Sequence, residues 1–327
     1  MVWRSLLPAR TLSELVMTSR PPITDRLSCG FAPVNMRPEA IRIARLGRMA
    51  LIAEAELTPK PGLVDRRGPG THKDLSLDRM RCSAFTIERY FRAMAFRCFA
   101  RVPSQDLREQ LAGIGREAER AMLAATGGSN THKGAIWILG LLGSAASMHA
   151  EESVTAYKLA STAQQIANFE DRAAPIGFSH GEFVAAKYGV AGARGEAASG
   201  FPHVVQVGLP TLRSNRVRGL NERQARLHSL LGIMASLDDT CLLYRGGRRA
   251  LAAAKDGAYS VLEAGGIITQ SGRQQFRLLE RTLLALNVSP GGSADLLAAT
   301  LFTDALERGS DIVQPDNSES EGMDGAT

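Results

Sequence analysis

The chain has 327 residues, of which 44% are hydrophobic and 22% are charged, which is the ordinary composition of a globular protein. Only 6% are aromatic, so packed helices are favoured over a β-sandwich. The formal net charge of +6 favours an anionic partner. The candidate partners are nucleic acid, a membrane surface and phosphorylated small molecules.

Cysteine usage and the length of the apolar runs indicate the cellular compartment of the protein. The four cysteines are far apart and form no CxxC pair, which argues against a disulfide framework or a zinc site and favours a reducing compartment. The longest apolar run, "AIWILGLLGSAA" from Ala135, is too short to cross a bilayer, which requires about 20 residues. The N-terminus has no continuous apolar segment typical of a secretory signal. We therefore expect a cytoplasmic protein.

The two ends of the chain differ in pattern from the middle. Residues 1–38 lack periodicity and carry several prolines, which predicts a flexible N-terminal extension. Residues 309–327 are polar and acidic, which predicts a disordered tail. Residues 39–308 are expected to form a helical catalytic domain.

The middle of the chain is helical in pattern. The segment from Pro38 to Pro59 has apolar residues at 41, 44, 49, 52 and 53, which is typical of an amphipathic helix. Further helices are predicted at 75–100, 105–125, 131–148, 151–170, 179–188, 221–237, 247–264, 272–287 and 292–308. One segment, "HVVQVGLP" at 203–210, is a candidate strand. The pattern predicts an all-α single domain of roughly ten helices.

Polar and glycine-rich residues are collected in blocks between these helices. Because loops tolerate change, specialised residues in them indicate function more often than packing. The blocks are residues 58–74, 127–134, 179–182, 192–202, 238–247 and 289–295. They predict glycine-rich ligand-binding loops on a helical scaffold.

The block "GGSNTHKG" stands directly before an apolar helix. Asn130 or Thr131 is expected to cap that helix, whose first free N–H groups can bind an anion at the positive end of the helix dipole. Lys133 adds a mobile charge and His132 a titratable donor. On this motif alone, a phosphate site and a capped core helix with a solvated lysine are equally supported.

Two other blocks place charged side chains in turns. Asp238 and Asp239 end an apolar helix, where they oppose the helix dipole unless a cation such as Mg²⁺ joins them. Arg194 and Glu196 lie between glycines, where they could clamp a phosphate and hold a metal or a proton. The alternatives are a solvated helix end and a local ion pair.

Taken as an ordered set, the blocks resemble the triphosphoribosyl-dephospho-coenzyme A synthases. The shared motifs are the six blocks "ELTPKPGLVD", "NTHKGAI", "SHGE", "GARGEA..GFP", "LDDT…YRGG" and "SPGGSADLLAATLF". They occur in this order, and the match, from about residue 40 to residue 308, covers most of the chain. The resemblance implies an enzyme that joins ATP to 3′-dephospho-CoA, releases adenine and yields 2′-(5″-triphosphoribosyl)-3′-dephospho-CoA.

That product is the precursor of the prosthetic group of malonate decarboxylase or citrate lyase, and the block around Cys241 is closer to the malonate decarboxylase branch. The resemblance also implies a partner phosphoribosyl-dephospho-CoA transferase, which attaches the group to a serine of an acyl carrier subunit.

The implied reaction suggests roles for the block residues. The 2′-hydroxyl of dephospho-CoA must attack C1′ of the ATP ribose while adenine leaves, which requires an acid and a base. The candidates for acid and base are Glu196, His132, His180 and Asp239. The residues expected to bind substrate are Lys60, Asn130, Thr131, Lys133, Arg194, Arg245, Gly246, Ser289 and Ser293. Magnesium carried by ATP is expected on some of Glu56, Glu182, Asp238 and Asp239.

Three other functions stay open. A hydrolase would use the same phosphate loops with water as nucleophile and would not need dephospho-CoA. A nucleic-acid binder would explain the basic charge, but that charge is dispersed among helices and no RRM, KH or zinc-knuckle signature is present. An inactive scaffold for the decarboxylase would not need the intact loop blocks. We therefore expect ATP and 3′-dephospho-CoA as ligands, with no nucleic acid and no membrane partner.

Overall fold

The structure is a computed structural model that describes residues 37–174 and 180–312. In these residues it contains twelve α-helices, a π-helical turn at His203–Gly208, a 3₁₀ turn at Gly266–Ile268 and no strand. The helices are α1 (Pro38–Glu56), α2 (Leu77–Cys98), α3 (Gln105–Ala125), α4 (Lys133–Met148), α5 (Ala156–Ala167), α6 (His180–Tyr188), α7 (Gly192–Ala198), α8 (Leu209–Val217), α9 (Glu222–Ser236), α10 (Thr240–Glu263), α11 (Gln270–Leu286) and α12 (Gly291–Arg308). The predicted all-α class is confirmed, with somewhat more helices than expected.

Helices α4 and α12 are buried along most of their length. α4 packs against α1, α2 and α12, and its small residues allow the close approach. A Cβ atom added at Gly140 would lie 2.8 Å from the sulfur of Met94, and one added at Gly143 would lie 3.1 Å from Ile43. Because packed interiors have no room for an added carbon at these distances, the glycines set the spacing between α4 and its neighbours.

The candidate strand at 203–210 was a wrong prediction. This segment forms the π-helical turn and the start of α8, with Val204, Val205 and Gly208 buried in the core. Thr300 of α12 packs closely against Gly208, and its side chain would collide with a Cβ atom added at Gly208. Burial against α12 therefore outweighs the strand preference of the valines, which depends strongly on context.

Four of the six blocks are largely helical, because α6, α7, α10 and α12 begin inside them. Gly192–Ala198 forms α7, and α10 begins directly after Asp239, whose side chain caps it. α10 continues through "RGG" with a kink at Gly247, where φ is 65°. Glycine adopts this φ without the strain that a side chain would bring, so the glycine pair marks a bend inside a helix.

The predicted N-terminal extension and acidic tail lie almost entirely outside the described residues and stay predictions. Across the two described ranges, no helix combines the length and the apolar character that a membrane crossing requires.

Candidate active site

The predicted blocks meet at the starts of α4, α10 and α12. Asp239, at the start of α10, accepts a hydrogen bond from the backbone N–H of Ser293 in the first turn of α12, at 2.8 Å. Asp295 of the same turn lies against Gly134 at the start of α4 and accepts a hydrogen bond from the N–H of Ala135. Three helix starts from distant parts of the sequence are therefore joined through two aspartates.

His72 links the block 58–74 to α10 and to the residues before α12. Its Nδ1 lies 3.2 Å from Nη2 of Arg245, and its Nε2 lies 3.0 Å from the hydroxyl of Ser289. Because a guanidinium can only donate, Nδ1 accepts from Arg245 and Nε2–H donates to Ser289. Burial and the charge of Arg245 lower the pKa of His72 to about 4, so the ring is neutral at pH 7.

The start of α7 lies beside the same helices. A Cβ atom added at Gly192 would lie 3.1 Å from Thr240 of α10, and Trp137 of α4 donates its indole N–H to the carbonyl of Ala193 at 3.2 Å. The block 192–202 is therefore adjacent to the starts of α4 and α10.

Lys60, predicted to bind phosphate, is held in a buried ion pair with Glu54. Its Nζ donates to the backbone carbonyl and to Oε1 of Glu54 at 2.7 and 2.5 Å, and the two residues are 2% and 3% exposed. Sequence reasoning selected Glu56 and missed Glu54. Residues two apart on a helix point to nearly opposite sides, and the available signal was that Glu54 follows the buried Ala50 by one helical turn.

Each predicted metal ligand has other partners. Glu56 binds Arg66 and Arg81, each at 2.6 Å. Two other predicted ligands also form ion pairs: Glu182 with Arg194 and Asp238 with Lys255, both at 2.8 Å. In the parts of the chain that the structure describes, no three His, Cys, Asp or Glu side chains are grouped so that they could hold a metal ion. The predicted magnesium ligands are thus engaged by protein side chains in this structure, and the magnesium site stays a prediction.

Asp239 is buried, and both of its carboxylate oxygens are occupied. Oδ1 accepts from the N–H groups of Cys241 and Gly292 at 2.9 and 3.3 Å. Oδ2 accepts from the N–H and the hydroxyl of Ser293 at 2.8 and 2.9 Å. Burial raises the pKa of Asp239, and these hydrogen bonds oppose that shift. The adjacent Asp238 is exposed, so the two aspartates do not act as a pair.

Asp295 is an acidic side chain of this site that the sequence analysis missed. The block "SPGGSAD" was read for its serines, although its aspartate stands in the first helical turn, where a carboxylate can also meet N–H groups. Burial, together with the nearby charges of Glu54 and Asp239, raises the pKa of Asp295 well above its ordinary range. The group therefore holds its proton more strongly than an exposed aspartate does.

His132 is buried beneath the start of α4. Its Nδ1 lies 2.7 Å from the hydroxyl of Ser83, whereas its Nε2 is buried and has no hydrogen-bond partner among the described residues. Burial and the charge of Lys60 lower the pKa of His132 to about 3. The ring is therefore neutral at pH 7 and does not act there as an imidazolium acid.

The residue that directly precedes α4 is His132, whose side chain does not cap the helix, but Asn130 still binds the first N–H group of α4. Asn130 Oδ1 accepts a hydrogen bond from the backbone N–H of Lys133 at 3.1 Å. The side chain of Lys133 is 51% exposed and pairs with Glu119 at 3.0 Å. This lysine thus stays accessible at the helix start, in contrast to Lys60.

Three predicted residues lie on the α6 side of α10, namely His180, Glu182 and Arg194. His180 stacks on Tyr244, with ring centroids 4.1 Å apart, and both are exposed. Arg194 and Glu182 form their ion pair on the same side, with the arginine side chain 69% exposed. Gly246 lies next to the kink in α10, where an added Cβ atom would lie 2.8 Å from Val288.

Glu196 is buried and forms a pair with His203. Its Oε1 accepts from the backbone N–H of His203 and its Oε2 lies 2.8 Å from the ring Nδ1. His203 was not predicted as a site residue, because it fell in the candidate strand. The hydrogen bond to Glu196 raises the pKa of His203.

This pair predicts a pH-dependent contribution to stability. A histidine whose folded-state pKa is raised contributes stability that is fully present below its unfolded pKa, about 6.5, and is lost as the pH rises through the folded pKa. We expect His203→Gln to lower the urea-derived free energy of unfolding more at pH 5.5 than at pH 9. In a Glu196→Gln background the same substitution should show no such pH dependence, and an equal loss at both pH values would contradict the assignment.

Comparison with known proteins places the chain in a family. A family profile described as ATP:dephospho-CoA triphosphoribosyl transferase matches residues 40–313. A protein of Pseudomonas fluorescens named "probable 2-(5''-triphosphoribosyl)-3'-dephosphocoenzyme-A synthase" is 50% identical over 85% of this chain and 96% of its own length. A protein of the same name from Azotobacter vinelandii is 51% identical over 86% and 97%. No solved structure matches the chain. The chain therefore belongs to the ATP:dephospho-CoA triphosphoribosyl transferase family, and it is a transferase.

Proposed function

We propose that this enzyme transfers the triphosphoribosyl group of ATP to the 2′-hydroxyl of 3′-dephospho-CoA and releases adenine. The observation that supports this best is the meeting of the blocks at the starts of α4, α10 and α12, which Asp239 and Asp295 join and where His72 contacts Arg245. Helix starts favour anions, and both substrates carry phosphate groups.

We propose that Lys133 and Arg245 contact the phosphates. Both are exposed, whereas Lys60 already binds Glu54. The pair between Lys133 and Glu119 is half-exposed, and such pairs contribute at most about 1 kcal/mol, so a phosphate can displace the carboxylate.

Lys133→Ala is expected to raise the KM for ATP or for dephospho-CoA about 10- to 100-fold, because a hydrogen bond to a charged group contributes about 1.5–3 kcal/mol. The unfolding midpoint should stay close to that of the wild type. Lys158→Ala is the matched control, since Lys158 is also an exposed lysine paired with a glutamate, Glu152. Initial rates at varied concentrations of each substrate test this, and an unchanged KM for both would remove Lys133 from the site.

We propose Asp295 as the acid that protonates departing adenine and Glu196 as the base that takes the proton of the attacking hydroxyl. The raised pKa of Asp295 supports the first role, because an acid must carry its proton near neutral pH. The buried carboxylate of Glu196, oriented by His203, supports the second. Mg²⁺ is proposed to arrive bound to the triphosphate, since this ion is commonly held through substrate phosphates.

The proposed reaction is tested by mixing the purified protein, Mg-ATP and dephospho-CoA, then following adenine by chromatography and the adduct by mass spectrometry. We expect one adenine for each dephospho-CoA that gains one triphosphoribosyl unit. Adenine without the adduct would favour the hydrolase, and neither product from folded protein would reject the transfer reaction for this chain.

We propose further that the product serves malonate decarboxylase, with citrate lyase as the alternative. The block around Cys241 supports this choice. A phosphoribosyl-dephospho-CoA transferase and an acyl carrier subunit would then consume the product. Deletion of the gene is expected to abolish growth on malonate and leave growth on citrate unchanged. The reverse pattern would assign the product to citrate lyase.

A further inference from the structure

A chain of hydrogen bonds beneath the start of α4 ends in an unused ring nitrogen. The hydroxyl of Thr131 donates to the hydroxyl of Ser83 at 2.7 Å, and Ser83 lies 2.7 Å from Nδ1 of His132. Ser83 and His132 are 0% and 2% exposed. At the far end, Nε2 of His132 is buried and makes no hydrogen bond within residues 37–174 and 180–312.

This chain of hydrogen bonds favours one position for the ring proton. A serine hydroxyl has one proton to donate and two lone pairs that accept. Ser83 accepts the hydrogen bond of Thr131, and its own proton is available for donation to Nδ1 of His132. Nδ1 is then the acceptor, and the ring hydrogen lies on Nε2.

The buried, unpartnered Nε2 lies in the region of the proposed site. His132 directly precedes α4, whose first turn contacts Asp295, and it is close enough to Lys60 for that charge to lower its pKa. A buried donor left without a partner is energetically unfavourable. Native proteins retain few such groups, and those they retain call for an explanation such as a bound ligand.

We propose that Ser83 is a positioning residue, which holds His132 as a neutral Nε2–H donor for an acceptor atom of bound ATP. The inference rests on the proposed function, because the acceptor is an atom that gains electron density as adenine leaves. The Nε2–H bond stays intact and no proton is transferred. Such a hydrogen bond strengthens in the transition state, so its loss lowers kcat more than it raises KM.

The kinetic test compares two positions. His132→Ala is expected to lower kcat about 10²- to 10³-fold, as removal of a donor in an oxyanion hole does, with both KM values nearly unchanged. His132→Gln keeps a neutral N–H donor and is expected to recover part of this loss. Ser83→Ala is expected to lower kcat at least about tenfold, which corresponds to about 1.4 kcal/mol in the barrier.

A spectroscopic test separates positioning from general stability. In ¹⁵N-histidine NMR spectra of the full chain, the wild type should show His132 with a protonated Nε2 and an unprotonated Nδ1, assigned by its absence in His132→Gln. Ser83→Ala should lose this single-tautomer signature. Thr162→Ala is the matched control, because Thr162 makes the same type of contact with His149 at 2.9 Å, and it should leave both kcat and the His132 signals unchanged.

Two results would overturn the inference while leaving the transfer reaction in place. One is wild-type kcat in Ser83→Ala, and the other is a lowered kcat with the His132 tautomer unchanged. If Ser83→Ala does not fold, Thr131→Val tests the same chain at a partly exposed position, and unchanged kcat and tautomer there would also overturn it. Failure of the wild type to form the adduct would instead reject the proposed function.

Discussion

Lys60→Met is expected to lower the free energy of unfolding by about 3–5 kcal/mol, because it leaves the carboxylate of Glu54 buried without its cation. The Nζ of Lys60 donates to two oxygens of Glu54, and neither side chain reaches solvent to a useful extent. Replacing both residues, Glu54→Leu with Lys60→Met, should be less destabilising than the single change, since no charge is then left buried. Urea denaturation of the purified variants measures both values.

Lys133→Met is the control for this substitution. Sequence reasoning selected both lysines for phosphate binding, but the Lys133 pair is half-exposed and its loss should cost less than about 1 kcal/mol. A loss below about 1 kcal/mol in Lys60→Met, accompanied by a large increase in KM, would contradict the structural role. It would return Lys60 to the substrate-binding set.

Asp239→Ala is expected to destabilise the protein by at least about 3 kcal/mol. The substitution removes the cap of α10, which contributes about 1 kcal/mol, and leaves N–H groups of α12 buried without an acceptor, at about 1–3 kcal/mol each. Because Asp239 joins the starts of α10 and α12, the substrate-binding turns should also lose their alignment. We therefore expect kcat/KM to fall together with stability, as followed by urea denaturation and the adenine assay.

The neighbouring aspartate provides the control. Asp238→Ala removes an exposed carboxylate paired with Lys255 and should change stability by less than about 1 kcal/mol. If Asp239→Ala instead retained wild-type stability and lost activity only, the carboxylate would act on substrate or metal, as the sequence had suggested, and its hydrogen bonds would be secondary.

The helical fold was predictable because its signals are local. The amphipathic pattern from Pro38, the glycine-spaced apolar run of α4 and the hydrogen bond of Asn130 to the first N–H group of α4 all depend on residues within one or two turns of each other. The same locality explains the errors. The valines at 203–210 resemble a strand in isolation, and the packing of this segment against α12, where Gly208 lies close to Thr300, places them in a helical turn.

The individual side chains of the candidate site were harder to predict than the blocks in which they lie. The blocks themselves were recognisable, since glycines and polar residues in ordered turns do not depend on long-range contacts. Which side chains face inward depends on their position around the helix axis. At about 100° per residue, Glu54 and Glu56 point to nearly opposite sides of α1, so Glu54 is buried and Glu56 binds Arg81. His203 and Ser83 were missed because each acts through a partner on a different helix.

Residue types and their order thus identified the family and the helical class, and they predicted the turns of the candidate site. The assembled helices decided which charges are paired internally and which remain accessible. Lys60 pairs with Glu54, and Asp239 accepts hydrogen bonds from the start of α12. Lys133 and Arg245 stay exposed. The physical reason is that a buried charge is stable only when it is compensated, and its compensating partner comes from whichever element packs against it.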